Sequence, residues 1–103
     1  MRDFTPAEVK ITRTWLVRLQ VPGAPDTPSD YSPGITVRPE TLELTYVANN
    51  GGQPSWRGAR LVGKMIGSNG QAKTNLVNAY WHEASHLPAW ISALVYRYRP
   101  ERG

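Results

Sequence analysis

The sequence predicts an α+β fold, in which an antiparallel sheet of about four strands carries one C-terminal amphipathic helix packed across it. Three patterns support this prediction. Apolar and polar residues alternate between Val9 and Val21, as in a half-buried strand. Turn signals stand at residues 49–52 and 69–70, and an apolar stripe at helical spacing ends the chain. With 103 residues, we expect a single domain over residues 1–103.

The first predicted strand spans residues 9–21, and Pro22 ends it because proline cannot donate to a sheet ladder. Its apolar side would hold Val9, Ile11, Trp15, Val17, Leu19 and Val21. Residues 22–34 carry four prolines and two glycines, so we expect a long surface loop without regular structure.

Three further strands are predicted: Ile35 to Ala48 with a break near Pro39, Trp56 to Ile66, and Thr74 to His82. Residues 74–86 also fit helical spacing with Asn75 as a cap. We favour the strand because Asn69-Gly70 is a hairpin signal and the pair Tyr80-Trp81 favours β structure. If Asn69 and Gly70 are the two loop residues, Val62 faces Val77 and Arg60 faces Ala79.

The predicted helix spans residues 87–99. Pro88 suits its first turn, Arg97 and Arg99 complement the dipole in the last turn, and Pro100 ends it. One face holds the stripe Leu87, Trp90, Ile91, Leu94, Val95 and Tyr98.

Composition narrows the function classes. The chain has no cysteine, which excludes disulfides and thiolate metal sites. It has neither an apolar signal core at the N-terminus nor a membrane-spanning run, so we expect a soluble cytoplasmic protein that does not contact membranes.

The charge of the chain is distributed unevenly. Residues 54–103 hold seven basic and two acidic residues, whereas residues 1–53 hold five basic and six acidic residues. This asymmetry indicates a polyanionic partner, or serves only solubility.

The string His82-Glu83-Ala84-Ser85-His86 matches the zinc-hydrolase pattern H-E-x-x-H. That chemistry requires a helix that brings both imidazoles to one face, and a third protein ligand. The chain has two histidines, and Pro88 would end such a helix directly after the second ligand. We therefore expect no metal, no cofactor and no catalytic residues, with His82 at the sheet edge, Glu83 solvated and His86 in a turn. A zinc hydrolase is kept as the less favoured alternative.

A basic, aromatic hairpin is the best candidate surface. In a strand, Trp56, Arg60 and Lys64 would share one face, spaced to stack a base and contact phosphates, and glycines at 58 and 63 would allow close approach of a ligand backbone. The alternative is that Trp56 belongs to the core. The complete predicted nucleic-acid site is Trp56, Arg57, Arg60, Lys64, Lys73, Arg97, Arg99 and Arg102.

The segment from Leu87 to Pro100 resembles the ending of small uncharacterised sheet-plus-helix proteins of high-GC actinobacteria and their phages. The resemblance covers the last fifth of the chain. It implies the fold and a mobile-element origin, and it implies no activity.

The leading functional hypothesis is a non-enzymatic binding module with DNA or RNA as ligand. The alternative is a protein-interaction accessory of a phage or mobile element that acts on a host protein. The sequence leaves the oligomeric state open.

Overall fold

The computed structural model describes residues 6–29, 34–67 and 69–101. Within them the chain forms an α+β fold with one antiparallel sheet and one short helix, as predicted, but the sheet has six strands rather than about four. In chain order the elements are β1 (Pro6–Ile11), β2 (Thr14–Gln20), β3 (Thr27–Pro28), β4 (Thr36–Asn49), β5 (Gly52–Ile66), β6 (Ala72–Trp81) and α1 (Ala89–Arg97). The sheet order is β1-β2-β4-β5-β6, and the short β3 pairs with the beginning of β4.

The two faces of the sheet differ in their surroundings. We call the face that packs against α1 the inner face and the opposite one the outer face. The core consists of inner-face side chains together with Ile91, Leu94 and Val95 of α1. The inner-face residues of the four long paired strands include Trp15, Val17, Leu19, Val37, Leu42, Leu44, Tyr46, Trp56, Ala59, Leu61, Val77, Ala79 and Trp81.

The prediction of one continuous strand over residues 9–21 is wrong, because β1 and β2 form a hairpin closed by Thr12 and Arg13. Thr12 has a φ of 57°, a conformation that threonine rarely adopts. The reversal places Val9 opposite Leu16, on the outer face, whereas the prediction placed it beside Trp15 in the core. Val9 and Ile11 are accordingly 53% and 59% exposed.

The loop predicted over residues 22–34 contains regular structure at β3, and residues 30–33 lie outside the described part of the chain. Thr27 is buried, and its hydroxyl accepts a hydrogen bond of 3.0 Å from the indole Nε1 of Trp90. Pro28 is compatible with this short strand because proline is tolerated at strand ends and sheet edges. The loop therefore anchors the start of α1.

The strand assignment of residues 74–81 is confirmed, since β6 returns antiparallel to β5. The predicted register is wrong by one residue: Arg60 faces Tyr80 and Val62 faces Asn78. The connection spans residues 67–71, where Gly67 N–H donates to the Gln71 carbonyl, and so it is longer than the predicted two-residue loop. A one-residue change of register moves a side chain to the other face, which is how Tyr80 reaches the outer face.

The predicted apolar stripe of the helix is confirmed, because Leu87, Trp90 and Tyr98 also pack against the core. The helix is shorter than predicted. Pro88 precedes its first turn in an extended conformation (φ −56°, ψ 147°), and its carbonyl accepts the first helical hydrogen bond from Ser92 N–H. Residues Ala84–His86 form a separate 3₁₀ turn.

A buried hydrogen bond fastens the end of α1 to the sheet. The Tyr46 hydroxyl donates to the Val95 carbonyl at 2.7 Å. Val95 lies in the last turn, where helix carbonyls lack an intrahelical partner. Burial raises the pKa of Tyr46 above its ordinary value, so the hydroxyl keeps its proton and remains a donor.

Replacement of Tyr46 by phenylalanine should lower the free energy of unfolding by about 1–2 kcal/mol, because the Val95 carbonyl would stay buried without its donor. Chemical denaturation followed by tryptophan fluorescence measures the change. An unchanged denaturation midpoint would contradict a structural role for this hydrogen bond.

Candidate functional site

The outer face carries a row of charged and aromatic side chains that runs across four strands. Arg18, Glu43, Arg60 and Tyr80 lie directly opposite one another in the paired registers of β2, β4, β5 and β6. The Glu43 carboxylate accepts a hydrogen bond from Arg18 Nη2 at 2.9 Å, and Arg60 Nη2 lies 3.9 Å from the same oxygen. One carboxylate thus holds two guanidinium groups, and Tyr80 stands beside the second, 40% exposed.

A second basic pair lies on the same face. Arg38 of β4 is directly opposite Lys64 of β5, and both are exposed. Two hydrogen bonds of 3.1 Å join Arg38 to Asp26, and the Arg38 guanidinium holds the pKa of the Asp26 carboxyl below its ordinary value. Arg60 and Lys64 are separated by four residues along β5, about 13 Å.

These groups make the outer face electropositive. At directly paired positions this face holds four basic side chains, Arg18, Arg38, Arg60 and Lys64, against the Glu43 carboxylate, while Asp26 pairs with Arg38 and Glu40 is exposed at the irregularity of β4. No helix of the described chain packs on this face, because α1 lies on the other one. A mobile anion can therefore approach the whole row from solvent.

Trp56 does not lie beside Arg60 and Lys64, and this part of the prediction is wrong. The register of β4 and β5 shifts between Thr45 and Tyr46, so that Gly58 faces Thr45 and Trp56 faces Tyr46. The extra residue, Arg57, forms a bulge, and the bulge turns Trp56 to the inner face. There it packs half-buried against the core, as the alternative interpretation expected.

Gly58 and Gly63 of β5, the two glycines predicted to admit a ligand, both lie against other parts of the chain. A Cβ at Gly63 would overlap the carbonyl group of Arg38, 2.8 Å from its carbon. A Cβ at Gly58 would meet His82 Nδ1 at 3.4 Å. At Gly63 the Arg38 backbone occupies the space that a ligand backbone would need, so that expectation is wrong there, whereas the distance at Gly58 is an ordinary van der Waals contact.

The other predicted site residues fall in different places. Lys73 is exposed at the start of β6, near the hairpin loop, and Arg57 is exposed at the bulge. Arg97 and Arg99 belong to the helical layer, where their guanidinium groups lie over the rings of Tyr98 and Tyr96 at 5.8 and 5.4 Å. Arg102 lies outside the described residues. The described members of the predicted set therefore do not share one surface.

The histidine motif does not adopt the conformation that its zinc chemistry requires. Glu83 is extended (φ −122°, ψ 129°), and only Ala84–His86 coil, as a 3₁₀ turn. Glu83 and His86 are both exposed, as expected for a solvated turn, and Glu83 Oε2 lies 3.8 Å from His86 Nε2. Among the described residues, no group of three or more His, Cys, Asp or Glu side chains is arranged to hold a metal ion.

Sequence reasoning missed four residues of the outer face: Arg18, Arg38, Glu43 and Tyr80. The alternation of β2 already placed Arg18 on the polar side, so that signal was present. Tyr80 required the correct β5–β6 register. Arg38 required knowledge of its pairing with Lys64.

Comparisons with protein-family models, curated proteins and solved structures find no match to this chain. The resemblance of residues 87–100 to actinobacterial and phage proteins therefore stays a prediction. In the part of the chain that the structure describes, the helices are too short or too polar to cross a membrane.

Proposed function

We propose that this protein is a small nucleic-acid-binding module, and that its ligand lies across the outer face of the sheet. The observation that carries the proposal is the cross-strand row of Arg18, Glu43, Arg60 and Tyr80 on a face that α1 leaves open. Lys64 and Arg38 extend the positive charge along the strands. The face combines cations for phosphates with an aromatic ring for a base.

The arrangement favours single-stranded over double-stranded ligands. Tyr80 and Leu76 are 40% and 62% exposed on β6, so a base that is free of a duplex can stack or pack there. Arg60 is adjacent to Tyr80 across the strands, which places a phosphate contact beside the stacking position. Within the described part of the chain the one α-helix, α1, packs on the inner face, so the outer face presents no helix of the kind that enters a major groove.

Titration of a fluorescent single-stranded oligonucleotide at several salt concentrations tests the proposal. We expect the logarithm of the association constant to fall linearly with the logarithm of the salt concentration, because each phosphate contact releases counterions. A matched duplex should bind more weakly. Absence of binding at low ionic strength would refute the proposed function.

Glu43 competes with phosphates for the two arginines that it holds. Replacement of Glu43 by glutamine should therefore tighten oligonucleotide binding by about 3-fold to 10-fold at low salt and steepen the salt dependence. The same titration measures both effects. Unchanged or weaker binding by a folded Glu43→Gln protein would mean that the ligand does not contact this row.

A second candidate is the protein-interaction module predicted from the sequence. The aliphatic side chains of Val9, Ile11 and Leu76 favour it, because they are more than half exposed on the outer face. Its partner would be retained after nuclease treatment and in high salt, conditions that release a nucleic acid. A pulldown under those conditions distinguishes the two functions.

A further inference from the structure

The strand β1 forms one edge of the sheet, and all six of its residues are exposed. Edge strands offer unpaired backbone groups that can pair with another chain. In a hairpin with a two-residue loop, the flanking residues Ile11 and Thr14 exchange backbone hydrogen bonds. Along β1 the residues then alternate between those whose backbone groups bond to β2 and those whose backbone groups point away from the sheet. The backbone N–H and C=O groups of Val9 bond to β2, and those of Glu8 and Lys10 point away from it.

The charge pattern of this edge is complementary to itself. Two antiparallel copies of β1 centred on Val9 would place Glu8 of each copy directly opposite Lys10 of the other. Glu8 and Lys10 are also the residues whose backbone groups point away from β2. Each Glu8–Lys10 pair between the two copies would therefore form two backbone hydrogen bonds and one ion pair. A lysine on an edge strand normally hinders pairing, but here Lys10, whose Nζ lies 5.1 Å from the centroid of the Trp15 ring, would meet the Glu8 carboxylate of the second copy.

The apolar residues of the edge agree with the same register. Val9 would contact Val9 of the second copy, and Ala7 would lie opposite Ile11. These side chains are on the outer face, where Val9 and Ile11 are 53% and 59% exposed in the single chain. Pairing would cover part of this exposed apolar surface.

The opposite edge, β6, lacks these features. Its ten residues contain one lysine and no acidic residue, so two copies would bring no opposite charges together. Its register against β5 is also irregular between Lys64 and Ile66, and such irregularity weakens a strand edge as a template.

We propose that β1 is the contact between two copies of this chain, which pair antiparallel about Val9 and join their sheets into one. This proposal is independent of the proposed nucleic-acid binding. A single strand pair is small for a protein interface, so we expect reversible association that is visible at high protein concentration.

Charge reversal tests the register. Glu8→Lys and Lys10→Glu would each place like charges opposite one another twice, and each should raise the dimer dissociation constant at least ~10-fold. An equimolar mixture of the two variants restores both opposite-charge pairs and should form heterodimers. The double variant Glu8→Lys/Lys10→Glu should associate like the unmodified protein.

Sedimentation equilibrium up to about 1 mM protein at low salt measures these constants without nucleic acid, and circular dichroism checks folding of each variant. Three results would overturn the proposal: an unmodified protein that stays monomeric, variants whose mixture fails to associate, or growth beyond a dimer. The last result would indicate β1–β6 pairing between copies, which does not close.

Discussion

Replacement of Gly63 by alanine is expected to lower the free energy of unfolding by ~3 kcal/mol or more. Gly63 lies opposite Pro39 in the β4–β5 pairing, and a Cβ there would overlap the Arg38 carbonyl and approach Val37 Cγ1 to 2.9 Å. The obstructing atoms are mainly backbone, so relief requires the central strands to separate, and overpacking of this kind is costly. The melting temperature should fall by about 12 °C or more.

Gly52 provides the matched control. It lies in the same strand, and a Cβ there would meet no atom within 4 Å. Gly52→Ala should change the free energy of unfolding by less than about 1 kcal/mol. Similar denaturation midpoints for the two variants would show that the close approach at Gly63 does not constrain the sheet.

Sequence patterns predicted the elements whose signals are local. The Asn-Asn-Gly-Gly turn appears between β4 and β5, where Gly51 has a φ of 77°. The apolar stripe of α1 packs as predicted, and Tyr80-Trp81 is extended. In each case the residues that form the pattern are also the residues that determine the local conformation, so no knowledge of strand pairing is needed.

The errors arose where pairing between strands decides the outcome. Thr12 and Arg13 include none of the residues that usually mark a two-residue turn, so the β1–β2 hairpin resembled one long strand. The bulge at Arg57 moved Trp56 to the inner face, and the five-residue connection after β5 moved Tyr80 to the outer one. Because side chains alternate between faces, each single-residue change moves an aromatic side chain to the other face of the sheet.

The same geometry predicts which cations affect nucleic-acid binding. Lys64→Glu should weaken binding of a single-stranded oligonucleotide by about 30-fold at low salt and flatten its salt dependence, because a phosphate contact on the outer face would become a repulsion. The fold should tolerate this change, since Lys64 is exposed and lies opposite Arg38, a neighbour of opposite charge to the new glutamate.

Arg97→Glu is the matched control, because both variants have a formal net charge of +2, two units below the +4 of the unmodified chain. Arg97 is exposed on α1, the layer behind the sheet, so its reversal should weaken binding by less than about 3-fold through the overall field alone. Since the two variants have the same net charge, any difference in their affinity for the oligonucleotide reports the location of the substituted residue. Equal losses would mean that the ligand responds only to net charge, and a larger loss for Arg97→Glu would move the binding surface to the helical layer.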